Sequence, residues 1–400
     1  MKIQMVGIDY QKAGIQLRER FSMTQAAIAE QLKHLPPNTG CVILSTCNRT
    51  ELWVSGEADP FALLCRMKGL DGAPYTEAFV RRSGETAAEH LFALACGLKS
   101  QVFGEDQIIT QVGNALALAR EAGGADAVLE MLFRAAVTAA KEVKTNVRLT
   151  GTDRSVAARA ASFLEERCGS LAGKRALVIG NGEMGRLAAK LLVQRGCRVQ
   201  MTLRSYRHGE VLLPTGVETV PYEQRLDWLA AADLVLSATT SPHYTLRAKE
   251  LPKLQKPVLF CDLAVPRDID PQIALLEHAS VFDTDTICGG EVQTPPIPQQ
   301  AQEILQERLA QFCRWYAFRP FVPRINALSQ RASQDFLGRT VRSLRRLPLA
   351  HEQQQALAAQ MQQAAQKSAA KLLFGLRENL EPELWETCIS ALEKSAQEVQ

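Results

Sequence analysis

Two short stretches of this chain bring together residue types whose spacing suits chemistry. One is Thr46-Cys47-Asn48-Arg49, a thiol between polar residues with a guanidinium two positions on. The thiolate is the nucleophilic form of cysteine, and a nearby cation with free backbone N–H groups favours it. A turn that happens to contain a cysteine fits these residues equally well. The other stretch is Gly180-Asn181-Gly182-Glu183-Met184-Gly185, which follows the apolar run Ala176-Leu177-Val178-Ile179 and opens an amphipathic stretch. In that context the first glycine permits a tight turn, the second lets backbone approach a pyrophosphate, and the third lets helix close on strand. The phosphates would then face a helix N-terminus. A thiol nucleophile joined to a nicotinamide site suggests one division of labour. The thiolate captures an activated carboxyl group as a thioester, and hydride then reduces it to an aldehyde.

The second strand of the nucleotide unit bears on the cofactor. NAD sites usually carry Asp or Glu about 20 residues beyond the glycines, to bind the ribose hydroxyls. In this chain Val199–Leu203 ends in Arg204-Ser205-Tyr206-Arg207, with no carboxylate. Arg204 and Arg207, with Ser205 between them, suit a 2′-phosphate, so NADP is favoured over NAD. The alternative is a solvated loop.

Three zones and one connecting segment must position these groups. Residues 1–150 mix strand-like runs (Lys2–Ile8, Cys41–Ser45, Glu51–Ser55) with helix-like spacing over Thr24–Leu35, Glu85–Gly97 and Asp106–Gly123. Residues 151–172 hold a break at Gly151–Arg154 and a connecting helix, Ser155–Cys168. Residues 173–290 alternate strands and helices: Arg175–Ile179, Met184–Arg195, Arg198–Leu203, Asp233–Ala238, Pro257–Leu263 and Ser280–Phe282. That alternation builds an open parallel sheet. Thr294-Pro295-Pro296-Ile297-Pro298 then interrupts regular structure, and residues 291–400 are rich in Gln, Ala, Leu and Arg, all good helix formers. The expected fold is therefore α/β and multidomain. An α+β domain comes first, a Rossmann-like doubly wound domain second, and an all-helical domain last. Leu357, Met361, Ala364 and Ala365 among the glutamines of 353–366 read as a narrow apolar seam for packing or oligomerisation. Hinges are expected near Gly151 or Pro295–Pro298.

Composition excludes several classes. The 400 residues allow two to four domains at roughly 100–200 residues each. With 46 Lys+Arg against 43 Asp+Glu, the net charge of +3 is too mild to announce a nucleic-acid binder, though a local basic face remains compatible. The 10 cysteines are dispersed, with no C-x-x-C pair and no zinc-like spacing to histidine, so no metal is expected. Reduced thiols, a start without an apolar h-region and no membrane-length run point to the cytoplasm.

Ser45-Thr46-Cys47-Asn48-Arg49-Thr50-Glu51 resembles the catalytic loop of the glutamyl-tRNA reductase family. Gly84–Phe92 and Gly97–Ile108 are similar to that family's motifs as well, and 173–290, with Asp262–Asp268, looks like its NADPH domain. The helical tail resembles its dimerisation domain. The resemblance implies NADPH-dependent reduction of the glutamyl ester of glutamyl-tRNA(Glu) to glutamate-1-semialdehyde, with release of tRNA, in tetrapyrrole (porphyrin and heme) biosynthesis. It implies that Cys47 is the nucleophile and that Thr46, Asn48 and Arg49 hold the glutamyl group. Ser100, Glu105, Asp106, Gln107 and Gln111 match other substrate-contacting positions. An arginine can clamp the side-chain carboxylate bidentately, and Glu105 would take the α-ammonium. His90 matches a histidine that orients or protonates the leaving ribose oxygen. Gly180, Asn181, Gly182, Glu183, Met184, Gly185, Arg204 and Ser205 would hold the cofactor, with Asn181 where the family usually has alanine. A homodimer is implied, and a transient complex with the aminotransferase that consumes the aldehyde.

Arg339, Arg342, Arg345 and Arg346 form a basic run in the tail, and helical spacing would set Arg339, Arg342 and Arg346 near one face. A solvated face and contact with tRNA phosphates are the two readings. Two rivals to the whole assignment remain: a shikimate-dehydrogenase-like NADP enzyme that ignores tRNA, and a nucleotide-sensing regulatory dimer.

Overall fold

The computed structural model describes residues 1–147, 149, 155–204, 212–289 and 296–397. Residues Lys2–Leu309 form one compact unit and Ala310–Gln400, with Met1, another.

The first unit begins with β1 (Ile3–Asp9), α1 (Ile15–Phe21), α2 (Gln25–Leu32), β2 (Gly40–Ser45) and β3 (Arg49–Ser55). It continues with α3 (Pro60–Lys68), β4 (Val80–Ser83), α4 (Gly84–Ala95), α5 (Gln107–Glu121) and α6 (Ala127–Asn146). The four strands pair antiparallel in the order β2-β3-β1-β4. Every residue of β3 is buried, which explains why its sequence shows no polar alternation. Helix starts are capped as the sequence allows: Thr24 Oγ1 accepts from Ala27 N at 3.3 Å, and Asp126 Oδ1 accepts from Leu129 N at 2.9 Å. Sequence patterning missed α1, α3, β4 and α6. Helix α6 shows a clear apolar face (Leu129, Leu132, Phe133, Ala136, Ala140, Val143) that was legible.

The second half of this unit runs α7 (Val156–Cys168), β5 (Arg175–Ile179), α8 (Glu183–Gln194), β6 (Arg198–Leu203) and β7 (Val217–Pro221). Then come α9 (Arg225–Leu229), β8 (Leu234–Ser237), β9 (Val258–Asp262), β10 (Ala279–Asp283) and α10 (Thr284–Cys288). Ser155 Oγ caps α7 by accepting from Ala158 N at 3.1 Å. All six strands are parallel, in the order β10-β9-β8-β5-β6-β7. The chain starts in the middle, winds to one edge, and returns to wind to the other. Period-two alternation feeds both faces: Ala176 and Val178 join one core, Leu177 and Ile179 the other. Strand β7 escaped sequence reading because it is an edge strand whose polar residues face water. The switch between β5 and β8 opens a crevice at the strands' carboxyl ends, where such sheets bind ligands.

Helix α11 (Gln299–Phe318) starts directly after Pro296–Pro298 and spans the boundary between the units. The helical unit adds α12 (Val322–Leu344), α13 (His351–Phe374), α14 (Leu376–Asn379) and α15 (Pro382–Gln397). Its core is small: Phe318, Ile325, Leu328, Trp385 and Ile389. Arg324 reinforces it with carboxylates of Glu386 at 2.8 Å and Glu393 at 2.7 Å. Helix α13 packs on α12 and buries no residue fully; Leu357, Met361 and Ala365 are half-buried and Ala364 is exposed. The basic run departs from expectation. Helix α12 ends at Leu344, so Arg345 and Arg346 lie beyond it, and Arg339 pairs with Asp335 at 2.7 Å. The hinge positions Gly151 and Pro295 lie outside the described residues, as do Ser205 and Arg207. Among the described residues no helix is long and apolar enough to cross a membrane.

Candidate active site

The cysteine loop is the turn between β2 and β3. Ser45 pairs with Thr50, leaving Thr46–Asn48 to reverse the chain. Thr46 N donates to the Arg49 carbonyl at 2.8 Å, and Asn48 N to Thr46 Oγ1 at 3.3 Å. Tyr10 N then ties the Asn48 carbonyl to the end of β1 at 3.0 Å. The Asn48 side chain is buried with Oδ1 unpartnered among the described residues, an acceptor waiting for a donor.

Below the turn lies a buried charge network. Strand alternation puts Arg49 and Glu51 on one face, and the β1 register sets Asp9 opposite Arg49. Arg49 Nη1 donates to Glu51 Oε1 at 2.9 Å and lies 3.9 Å from Asp9; Nη2 donates to the Lys99 carbonyl. The same Glu51 oxygen meets His90 Nε2 at 2.9 Å, and the His90 ring stacks over Trp53 with centroids 6.0 Å apart. Burial alone would raise the Glu51 carboxyl, but the imidazole and guanidinium outweigh it and hold it at about 2. His90 is buried in α4, and among the described residues its Nδ1 has no partner, nor has Glu51 Oε2. Sequence reading quoted Glu51 within the loop but gave it no role; the Arg-x-Glu spacing in a strand was the available signal.

Arg49 favours a Cys47 thiolate, as its position suggests, but burial outweighs it in this resting geometry. Burial pushes the Cys47 thiol up to about 12, Glu105 adds to the shift, and Arg18 and Arg49 offset only part of it. Glu105 is pushed up to about 7, by burial first, with Arg49 opposing and Asp106 adding. The 97–105 loop places it. Gly97 has φ +75°, and a Cβ there would stand 2.8 Å from Glu105 N, so only glycine lets the loop close. Gly104 N and Ser100 N both donate to the Gly97 carbonyl, at 3.1 and 3.2 Å.

The remaining substrate-site candidates divide. Ser100 is buried and its carbonyl accepts from Tyr10 Oη at 3.4 Å, near the loop. Asp106 instead pairs with Lys144 at 3.1 Å, while Gln107 and Gln111 are half-buried on the first turns of α5. A cavity of about 130 Å³ beside His90 is lined by Asp9, Lys12, Glu51, Arg82 and Lys99. Both signs of charge face it, which suits a zwitterionic amino acid. A neighbouring cavity of about 360 Å³ shares Arg82, His90 and Lys99.

The nucleotide half is built from backbone. A Cβ on Gly180 (φ +110°) would stand 2.5 Å from the Ala238 carbonyl, and one on Gly185 only 2.0 Å from the Gly180 carbonyl. Gly182 has nothing within 4 Å: its bare Cα faces a cavity of about 530 Å³ that Asn181, Arg204, Tyr222 and Thr239 also line. An open cradle at a helix N-terminus, closed by two sterically required glycines, fits a dinucleotide. Asn181 Oδ1 is buried and has no partner among the described residues. Glu183 is exposed at the start of α8, whereas Met184 is half-buried, packs against the core and does not line the cavity. Sequence reading missed Thr239, which Asp268 fixes through its N–H at 2.8 Å and its Oγ1 at 2.6 Å.

Helix α1 joins the two halves through adjacent residues. Buried Arg18 forks onto Asp285, with Nη1 and Nη2 each at 2.9 Å. Glu19 receives Arg267 Nε and Nη2, each at 2.9 Å. These pairs span about 250–270 residues of sequence, so no local pattern announces them. Among the described residues, no group of three His, Cys, Asp or Glu stands ready to hold a metal.

A doubly wound sheet with a glycine cradle, docked against a domain that presents a cysteine, defines a nicotinamide-nucleotide oxidoreductase of more than one domain. Comparison with known proteins makes this particular. Residues 6–147 match the glutamyl-tRNA reductase N-terminal domain, 162–288 the shikimate/quinate 5-dehydrogenase domain, and 300–397 the glutamyl-tRNA reductase dimerisation domain. A glutamyl-tRNA reductase of Acetivibrio thermocellus is 45% identical over 328 residues, covering 80% of this chain and 98% of that protein. One from Alkaliphilus oremlandii is 42% identical over 329 residues, with the same coverage of 80% and 98%. A solved glutamyl-tRNA reductase from Methanopyrus kandleri aligns over 99% of both chains at 25% identity, with a TM-score of 0.44. The chain belongs to the glutamyl-tRNA reductase family. The middle match alone would suit the shikimate-dehydrogenase-like rival; the flanking matches do not.

Proposed function

We propose that this protein reduces the glutamyl ester of glutamyl-tRNA(Glu) to glutamate-1-semialdehyde with NADPH, through a thioester on Cys47, in the cytoplasm. The reading is supported above all by the docking of the Cys47 loop's domain on the domain that carries the glycine cradle, through Arg18–Asp285 and Glu19–Arg267. Cys47 Sγ attacks the ester carbonyl carbon, the C–O bond breaks, and the tRNA ribose oxygen leaves and takes a proton. NADPH in the cradle would supply the hydride to that carbon. The C–S bond then breaks, leaving the aldehyde and a free thiolate.

The resting thiol must lose its proton for this. Glu105 raises the thiol, and the substrate's α-ammonium is its natural partner. Neutralising Glu105 with that ammonium eases ionisation of Cys47, so the substrate itself prepares the nucleophile. Because Arg49 is engaged by Glu51, Asp9 and the Lys99 carbonyl, it positions the loop. The cations that face the small cavity, Lys12, Arg82 and Lys99, take the substrate's side-chain carboxylate. His90, oriented by Glu51, serves the leaving ribose oxygen. Arg204 reads the 2′-phosphate. The helical unit makes the homodimer, and the reactive aldehyde goes to the aminotransferase in a transient complex.

Replacing Cys47 by Ser tests the reading. Reduction of glutamyl-tRNA should fall to background while NADPH titration stays unchanged, and acid quenching of the wild-type enzyme should trap a glutamyl thioester on Cys47. Ordinary turnover by Cys47→Ser would sink it.

A further inference from the structure

The loop that follows β9 touches both halves of the site within two residues. Arg267 reaches outward to α1: its backbone N–H donates to Glu19 Oε1 at 2.6 Å, and its Nε and Nη2 fork onto the same carboxylate at 2.9 Å each. Asp268 turns inward and is fully buried. Its Oδ2 accepts from Ser237 Oγ at 2.7 Å and from Thr239 N at 2.8 Å, and its Oδ1 accepts from Thr239 Oγ1 at 2.6 Å. The loop is closed at its base by Asp262, which accepts from Ala264 N at 3.0 Å and from Ile269 N at 2.8 Å. Thr239 is where this loop meets the cofactor cavity. Residues 239–242 line one wall of that cavity and Gly180–Gly182 another. A Cβ on Gly180 would stand 3.0 Å from Thr239 Cγ2, so the Thr239 methyl rests against the first turn of the cradle. Thr239 Oγ1 also accepts from Ser241 N at 3.1 Å and so fixes the next turn of the wall.

We propose that Asp268 is a positioning residue for the cofactor, and that Glu19 of α1, gripping Arg267, sets how firmly Asp268 holds the Thr239 wall of the cavity. The proposal rests on the NADPH reading above and deepens it, because it makes cofactor affinity depend on how the Cys47 domain docks. Glu19 binds the backbone of residue 267 as well as its side chain, directly beside Asp268. Losing that grip frees the Asp268 carboxylate to shift, and the three donors it collects shift with it. A wall fixed before the ligand arrives spares the cost of ordering it on binding. Cys47 takes no part in this route. The neighbouring pair, Arg18–Asp285, lies on the same helix and docks the same two domains, yet among the described residues it makes no bond to the 262–269 loop. It therefore separates docking in general from this particular route.

The test combines titration of the full-length protein with NADPH, read by fluorescence, and hydrogen exchange over residues 239–241 with no cofactor present. Glu19 does not line the cavity. Glu19→Gln should nevertheless weaken NADPH about fivefold, the worth of about one hydrogen bond, and speed exchange at Thr239 and Ser241. Asp268→Asn sets an amide donor among three donors and should weaken NADPH about tenfold. Thr239→Val keeps the methyl, loses the Oγ1 bond and should weaken NADPH about as much as Glu19→Gln. Since both act on one route, Glu19→Gln combined with Thr239→Val should be little worse than either alone. Asp285→Asn should leave NADPH binding within about twofold of wild type. Multiplying losses in the double variant, unchanged exchange in Glu19→Gln, or an equal loss in Asp285→Asn overturns the proposal. A wild type that does not bind NADPH overturns the NADPH reading itself, so the two failures are distinguishable.

Discussion

The glycine cradle and the cysteine loop solve the problem of holding a reactive group with opposite materials. The cradle uses almost no side chains. Its contacts are backbone against backbone, Gly180 on Ala238 and Gly185 on Gly180, and its electrostatics come from the N–H groups of a helix start. The cysteine loop uses side-chain charge throughout, with Arg49, Glu51, His90 and Glu105 all buried around a thiol that burial keeps protonated. A backbone cradle is ready before its ligand arrives. A buried charge network instead sets a resting state that the incoming ligand's own charge must disturb. Perturbing each by its own material should therefore produce different failures.

The largest effect is expected at Glu51. Glu51→Leu removes the carboxylate nearest the buried Arg49 charge, leaving Asp9 at 3.9 Å, and strips His90 Nε2 of its Glu51 acceptor. Breaking a buried pair on one side costs about 3–5 kcal/mol, which a urea unfolding curve would show as a lower midpoint at unchanged slope. The double variant Arg49→Met with Glu51→Leu should recover most of that loss. A cost for Glu51→Leu near that of a surface substitution would mean the network does not hold the loop.

Gly185→Ala should break the cradle more mildly. Its new Cβ would lie 2.0 Å from the Gly180 carbonyl, forcing α8 away from the turn. Overpacking of this kind costs about 1–3 kcal/mol. NADPH affinity should drop by about tenfold or more, while the rate of Cys47 alkylation stays as in wild type. Altered alkylation would show that the two halves are not independent, and would place the coupling in the α1 ion pairs.

The same contrast explains what was legible in the sequence. The cradle's six residues are consecutive, and the rule they obey is local. The strand before them, the helix after them and the parallel sheet around them could all be read. The 97–105 loop was recognisable as a motif, but its reason, Gly97 against the backbone of Glu105, needs the folded turn. For the cysteine loop the thiol could be read but not its state. Arg49 looked like a cation beside Cys47, and only the pairing of β1 with β3 and the approach of α4 show it already matched by Glu51. Met184 stands within the phosphate-loop motif, and the 3.6-residue turn of α8 lays its half-buried side chain against the core. Arg18–Asp285 and Glu19–Arg267 obey no local rule and were unreadable.

The smallest effect per unit of perturbation, and the one that sharpens the comparison most, belongs to Glu105. Its carboxyl is raised from 4.5 to about 7, so between those values the folded chain keeps a proton that the unfolded chain has released. Stability should therefore fall as pH rises through that window, by at most about 1.4 kcal/mol per pH unit, and Glu105→Gln should flatten this component. The same substitution removes a negative charge that raises Cys47, so alkylation of the free enzyme at pH 8 should become several-fold faster. Turnover of glutamyl-tRNA should nevertheless decline, because the α-ammonium loses its carboxylate. If thiol reactivity and turnover instead rise together, Glu105 is only an obstacle to ionisation, and the substrate's ammonium has no part in preparing the nucleophile. If reactivity rises while turnover falls, the loop is a site kept inactive by its own charge until the correct ligand cancels it, which the backbone cradle has no means to do.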